Sequence, residues 1–387
     1  MTSISRRICF PRLLALAQVF SILAVSTPAT ATPKGTDLIR GDQWHLKFVK
    51  AVDAHRINQG SGSVVAVIDT GVSPHPDLKG NMLAGTDTIP GGFGNGQSDR
   101  DSHGTGMAGL VAAHGQRNGT GALGIAPEAK VIPILSFPPK GDGTPDSLAD
   151  GINFAIEHRA NIICISSVGS RSPYLDQMVA RALTSDIVVV AAAGNLPDDA
   201  RVGYPASVAG VVAVGGVDQK GEHASISVSG PEVDVVAPAV DIYSTSINGK
   251  YRKGTGTSDA TAIVAGAAAL VRSKYPYLPA AEVVHRLTAT AVDKGPPGRD
   301  DEYGYGVIDL VAALTADVPP LGFESVTAAP PQAGTTSAAT SSSGGNDDGG
   351  AAARGWATLG VIVAAGCGFL VWRRRRRADD PPPRISR

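Results

Sequence analysis

Cysteine is scarce: three residues in 387, at Cys9, Cys164 and Cys367. Two of them fall in apolar segments near the ends of the chain. The middle therefore has no disulfide framework and no ligand set for a cysteine zinc site. Cys164, inside Ile162-Ile163-Cys164-Ile165, reads as a small buried hydrophobe. Charge is also sparse. Asp, Glu, Lys and Arg make up 18% of the sequence, below the roughly 25% typical of soluble domains. Neither sign dominates, with 34 Lys and Arg against 35 Asp and Glu, so nothing points to a nucleic-acid partner. That balance conceals one block: without Arg373 to Arg377 the formal net charge moves from −1 to −6. There is no Gly-x-y period and no internal repeat, and apolar runs are frequent. Collagen and a wholly disordered chain are thereby excluded.

The composition is 43% hydrophobic, ample for a packed core. The ends have a different character from the middle. Arg6, Arg7 and Arg12 precede the apolar residues 13–25, and Ala29-Thr30-Ala31 follows, the pattern of a secretory signal cleaved near Ala31. Near the other end, Trp356 to Trp372 is uncharged and runs directly into the five arginines. With Arg354 snorkelling, the apolar stretch extends back to Ala351. Tryptophan at both ends suits the interfacial belt, and the arginines mark the cytoplasmic side. Residues 330–350, rich in Ser, Thr, Gly and Pro, cannot bury enough apolar surface to fold and read as a tether. The expected organisation is a signal peptide over 1–31, a short extension over 32–42 and a folded domain over 43–316. A disordered linker over 317–350, a transmembrane helix over 351–372 and a basic cytoplasmic tail over 373–387 follow. The protein is expected in the cell membrane, single-pass, with its bulk extracytoplasmic.

Within the middle, continuous apolar runs at 63–68, 131–135, 162–165, 187–191 and 211–214 read as strands covered on both faces. Helical patterns at 104–113, 148–158, 175–184, 260–275 and 280–289 fall around and between them. This alternation predicts an α/β fold with a mainly parallel sheet and right-handed crossovers. Sites in such sheets form beyond the carboxyl ends of the strands.

Four polar residues draw notice there. Asp69 ends the first strand in Ala66-Val67-Ile68-Asp69-Thr70-Gly71, where a carboxylate needs a partner. It is either a turn or capping residue, or a functional group. The loop also resembles that of aspartic proteases, but their chemistry needs two carboxylates sharing a proton, and a single Asp-Thr-Gly would require a dimer. His103, in Asp101-Ser102-His103-Gly104-Thr105-Gly106, starts a small-residue segment and is structural or functional according to its neighbours. Asn195 follows a buried strand and reads as a turn residue or as an amide donor. Ser258, in Gly254-Thr255-Gly256-Thr257-Ser258-Asp259, is either an N-cap or a nucleophile at a helix N-terminus, where backbone N–H groups favour negative charge.

Taken together, Asp-Thr-Gly, His-Gly-Thr, Ala-Ala-Gly-Asn and Gly-Thr-Ser occur in that order and resemble the landmarks of the subtilisin-like serine proteases, the subtilases. The resemblance spans residues 43–314. It implies a subtilisin-like three-layer fold and a serine endopeptidase acting through a covalent acyl-enzyme. Ser258 is implied as nucleophile, His103 as general base and then acid, and Asp69 as the group orienting His103. The Asn195 amide and the Ser258 N–H are implied as the oxyanion hole, and Ser166, Ser167, Val168 and Gly169 as the strand that binds the substrate backbone. The signal peptide, the segment Gln43-Trp44-His45-Leu46 and the single C-terminal span resemble the mycosins, membrane-anchored subtilases of type VII secretion systems. That likeness implies a polypeptide substrate and association with a secretion complex. Two other roles fit the same features: a structural stabiliser of such a complex whose proteolysis is dispensable, and a general cell-surface scavenging protease. Two departures stand out. The domain cannot form the disulfides common in mycosins, and Asp259-Ala260-Thr261-Ala262 lacks the family's proline and puts a carboxylate beside the nucleophile. Many subtilases hold calcium, but no loop here has EF-hand spacing. Asp99-Arg100-Asp101 and Asp198-Asp199 read as solvated surface charge, and no metal or cofactor is expected.

Overall fold

The computed structural model describes residues 38–116, 119–139 and 143–322, all within the first of two units of the chain, residues 1–325. The expected signal peptide, transmembrane helix and basic tail, and nearly all of the linker, lie outside the described residues. Among the described residues no helix is long and apolar enough to cross a membrane.

Three short helices come first: α1 (Leu38–Asp42), α2 (Trp44–Phe48) and α3 (Ala51–His55). Then follow β1 (Val64–Asp69), β2 (Thr86–Asp87), α4 (His103–Ala112), β3 (Lys130–Leu135), α5 (Pro145–Glu157), β4 (Ile162–Ile165), α6 (Pro173–Thr184) and β5 (Val188–Ala192). The chain continues through β6 (Val212–Val217), β7 (Val235–Pro238), β8 (Ile242–Thr245), β9 (Tyr251–Gly254), α7 (Thr257–Lys274), α8 (Ala280–Ala289) and α9 (Leu310–Thr315). The main sheet has seven strands in the order β2-β3-β1-β4-β5-β6-β7, and every pairing in it is parallel. β8 and β9 form a separate antiparallel hairpin. All five sequence-predicted strands are present. Their apolar runs are continuous because alternate side chains enter two different cores. Val65, Val67, Cys164, Val190 and Val214 face one layer, while Ala66, Ile68, Ile163, Val189 and Ala213 face the other. The result is the α/β subtilisin-like architecture, three layers about a mainly parallel sheet.

Helices α5 and α6 cover the second face through Leu148, Ile152, Leu175 and Val179. Helices α4, α7, α8 and α9 cover the first, through Leu110, Ile263, Val283 and Leu310, together with Leu46 and Ala54 of the N-terminal helices. Both α5 and α6 begin earlier than their apolar periodicity indicates. The cause is a hydroxyl N-cap followed by proline: Thr144-Pro145 and Ser172-Pro173, whose hydroxyls accept from the N–H groups of Ser147 at 3.0 Å and Leu175 at 3.2 Å. Gln43 ties the N-terminal segment to the domain. Its side chain donates to Leu123 O at 3.0 Å and Tyr243 O at 3.1 Å and accepts from Leu123 N at 2.9 Å.

The sheet order places the site. In the sheet β1 is flanked by β3 on one side and by β4 on the other, and the chain crosses β1 between building β2 and β3 and continuing at β4. β1 is therefore a switch point, and the crevice beyond its carboxyl end lies between the segments leaving β3 and β4. Asp69 is the last residue of β1, level with Leu135 of β3.

Candidate active site

Asp69 is buried, 2% exposed, and its carboxylate is shared by two donors. Thr70 N–H donates to Oδ1 at 2.7 Å. His103 Nδ1 lies 2.8 Å from Oδ1 and 3.0 Å from Oδ2. A carboxylate only accepts, so Nδ1 carries the hydrogen and Nε2 is left as the basic nitrogen. The approach of the two elements depends on Gly104: a Cβ there would lie 2.1 Å from Gly71 O and 3.1 Å from Asp69 Cβ. Burial pulls the His103 pKa down, but the charge of Asp69 and its hydrogen bond outweigh burial and leave it raised.

What positions the start of α4 is a residue that sequence reasoning placed wrongly. Asp99 is 6% exposed, not solvated surface charge. Its Oδ1 accepts from Thr70 Oγ1 at 3.0 Å, Asp101 N at 2.9 Å and Ser102 N at 2.9 Å. Its Oδ2 accepts from Thr105 N at 2.9 Å and Thr105 Oγ1 at 2.6 Å. Both oxygens are thus occupied by donors of the turn that carries His103. Thr70 closes the network by accepting from Gly104 N at 3.0 Å.

Ser258 is the second residue of α7. The helix is capped by Gly256 with no side-chain bond, so Ser258 is not an N-cap. Its hydroxyl donates to Ser166 O at 3.0 Å, and the Ser166 hydroxyl donates in return to Ser258 O at 3.3 Å. The hydroxyl therefore rests on the segment that follows β4.

Asn195, three residues beyond β5, is oriented by Thr257, a residue not singled out from the sequence. Thr257 donates to Asn195 Oδ1 from its N–H at 2.9 Å and from its hydroxyl at 3.2 Å. The amide oxygen being held, Nδ2 is the group free to donate. The place a Gly256 Cβ would occupy lies 3.5 Å from Asn195 Nδ2 and 3.8 Å from Ser258 N. The Asn195 amide and the Ser258 N–H thus both lie near Gly256, the residue that caps α7. Asp199 fixes the Asn195 backbone by accepting its N–H at 2.8 Å.

An open cleft of about 320 Å3 is lined by Asp69 and His103 together with Ser166, Ser167 and Val168, while Ser258 and Asn195 are not part of its lining. Phe137, Pro138 and Pro139, which leave β3, form an apolar rim; their signal in the sequence was their place just after a buried strand. Of the four residues predicted to bind substrate, Gly169 has its N–H engaged by Tyr204 O at 2.9 Å, and Ser166 O is taken by Ser258. Ser167 and Val168 stay on the cleft wall. Cys164 is fully buried and free, with its thiol pushed up to about 12 by burial. Among the described residues no group of three or more His, Cys, Asp or Glu is arranged to hold a metal ion.

Comparison with known proteins gives the family. The subtilase family matches residues 60–306. Subtilisin DY of Bacillus licheniformis is 39% identical over 290 residues, 74% of this chain and 99% of that protein. The minor extracellular protease Epr of Bacillus subtilis (strain 168) is 35% identical over 295 residues, 76% of this chain but only 45% of that longer protein. Among solved structures, the MycP3 protease from the type VII (ESX-3) secretion system superposes with a TM-score of 0.63 at 34% identity, covering 73% of this chain and 90% of that one.

Proposed function

The chain belongs to the subtilase family, a serine endopeptidase most like the mycosins, and from that premise we propose a membrane-anchored extracytoplasmic protease in which Asp69, His103 and Ser258 are the catalytic triad. In this reading Ser258 Oγ turns from Ser166 O to His103, gives its proton to Nε2 and attacks the scissile carbonyl carbon. The electron pair of the carbonyl moves onto its oxygen, which Asn195 Nδ2 and Ser258 N–H receive at the start of α7, aided by the helix dipole. His103 then passes the proton to the leaving amine, and an acyl-enzyme remains for water to hydrolyse by the reverse sequence. Asp69 keeps Nδ1 protonated throughout and stabilises the imidazolium. Ser167 and Val168 offer the backbone edge along which an extended polypeptide lies. No metal or cofactor enters any of these steps.

The observation that carries the reading is the Asp69–His103 pair at 2.8 Å on the cleft that Ser166, Ser167 and Val168 also line. Its test is fluorophosphonate labelling of the full chain beside Ser258→Ala. Label on the wild type alone is expected. Label persisting on Ser258→Ala would remove Ser258 from the role of nucleophile.

The sequence-derived signal peptide, tether and apolar segment over 351–372, with the arginines behind it, support anchoring with the domain outside and the tail in the cytoplasm. The likeness to MycP3 supports association with a type VII secretion complex and an exported protein as substrate. Retention of the protein in the membrane pellet after alkaline carbonate washing tests the anchor. A deletion strain complemented by wild type or by Ser258→Ala tests the secretion role. The hydroxyl of Ser258 resting on Ser166 O favours a second reading, a stabiliser of the complex whose proteolysis is dispensable. Full rescue of secretion by Ser258→Ala would establish that reading.

A further inference from the structure

Asp259 is the acidic residue of the first turn of α7, directly after the serine. It is 2% exposed, and its Oδ1 has no hydrogen-bond partner. From the hairpin, Arg252 of β9 reaches toward it, with Nη1 also buried and also without a partner. The two heads converge on one space. A Cβ on Gly254 would lie 2.6 Å from Asp259 Oδ2 and 2.9 Å from Arg252 Nη2. The guanidinium gets there only because α4 has no side chain at Gly106, where a Cβ would sit 2.7 Å from Nη1. Gly106 is one helical turn beyond His103. Asp69, His103, Arg252 and Asp259 therefore form one cluster of two carboxylates and two cationic groups, each close enough to bias His103 or Asp259.

A buried carboxylate facing a half-buried guanidinium without pairing is a poor device for stability, since Asp259 Oδ1 and Arg252 Nη1 lose solvation and neither gains a bond. Their placement suits an electrostatic task instead. The groups facing Asp259 are His103 of α4, Asp69 of β1 and Arg252 of β9. Cys164 of β4, whose thiol burial pushes up to about 12, stays neutral. Burial pushes the Asp259 carboxyl up to about 6, against the pull of Arg252 and His103. In turn Asp259 holds the proton on His103 more tightly, while Arg252 loosens it.

We propose that Asp259 and Arg252 are a positioning pair that acts through His103, and that their opposed charges set the pH at which proteolysis switches on. The proposal rests on the reading of His103 and Ser258 as base and nucleophile. Asp259 neither touches substrate nor moves a proton in the reaction. It makes the imidazole a stronger base, which delays activity to higher pH, and Arg252 limits that delay.

The test uses the full chain and three variants, Asp259→Asn, Arg252→Gln and the double substitution. Two quantities are read. One is the rate of fluorophosphonate labelling from pH 4.5 to 9. The other is the titration of the His103 ring in protein labelled with 13C at histidine Cε1, its signal assigned by loss in His103→Gln. Asp259→Asn is expected to move both midpoints down by roughly half a unit, about threefold faster labelling one unit below the wild-type midpoint. Arg252→Gln is expected to move both up, and the double variant to fall between. Midpoints unchanged in both single variants would overturn the proposal. Ring titration that shifts as expected without any labelling of the wild type would keep the pair and defeat the triad instead. If Arg252→Gln does not fold, as judged by circular dichroism, Asp259→Asn alone decides through the sign of its shift.

Discussion

The two sides of the cleft are built on opposite terms. On the β1–α4 side both oxygens of the buried Asp99 are hydrogen-bonded, and Asp69 is shared between Thr70 N–H and His103. On the α7–β9 side Asp259 Oδ1 and Arg252 Nη1 are buried with no partner at all. Satisfied polar networks fix geometry, because each lost partner leaves a desolvated group behind. Unsatisfied buried charges fix nothing, yet they project a field onto their neighbours. The first side is thus a frame that holds an imidazole in place, and the second keeps charge available near it. A position on the first side should respond to mutation through rate or folding, and a position on the second through pH.

The largest effect is expected from Asp69→Asn. It keeps size and burial but offers an amide donor to Nδ1, which favours the wrong tautomer. A drop of about 10⁴-fold in kcat is expected, with KM little changed. A drop below tenfold in steady-state hydrolysis of a peptide substrate would mean that the frame works by shape alone.

Asn195→Ala comes next and probes the junction of the two sides, because Thr257 holds the amide from the α7 end. Loss of the donor is expected to lower kcat by about 10²–10³-fold, the range known for the equivalent change in subtilisin. A compensating fall in KM would show instead that Asn195 strains the bound substrate.

Asp99→Ala removes the acceptor for five donors and should destabilise the domain by about 3 kcal/mol. Urea unfolding followed by near-ultraviolet circular dichroism measures this. An unchanged midpoint would show that the donors find other acceptors and that the frame tolerates repair.

Asp99 also marks where sequence reading stops. Five strands were legible because a strand buried on both faces leaves an unbroken apolar run, as residues 64–68 do before Asp69. The pairing of Asp69 with His103 was legible through a familiar order of short motifs. The burial of Asp99 was not, since Asp99-Arg100-Asp101 is as polar as any exposed loop and only the fold brings Thr70 and Thr105 against it. The hairpin of β8 and β9 escaped for a related reason: Tyr251-Arg252-Lys253-Gly254 is half exposed and carries no apolar alternation. With the hairpin unseen, Arg252 could not be connected to the carboxylate beside Ser258. Thr257 was in plain view, but orienting Asn195 needs a contact across 62 residues.

His45 separates an unsatisfied buried group from a charged neighbourhood. It is fully buried in α2, and both ring nitrogens lack partners. Burial alone lowers its pKa to about 3, whereas Asp259 feels Arg252 and His103 as well. The folded state thus prefers the neutral ring. Above pH 6.5, the ordinary value, folded and unfolded chains are both neutral there and nothing is lost. As pH falls below 6.5 the unfolded chain takes up a proton that the folded one refuses, and stability declines until the ring titrates near 3. At pH 5 the loss is about 2 kcal/mol. His45→Leu removes this term, so its melting temperature should fall less between pH 7 and pH 5 than that of the wild type. Its acid limb of activity should stay in place, since burial, and no charged group of the cleft, is what shifts residue 45. Parallel melting curves for the two proteins would mean that water or local opening reaches the ring. A shifted acid limb would mean that this segment communicates with His103, and the division between frame and field would then extend beyond the cleft.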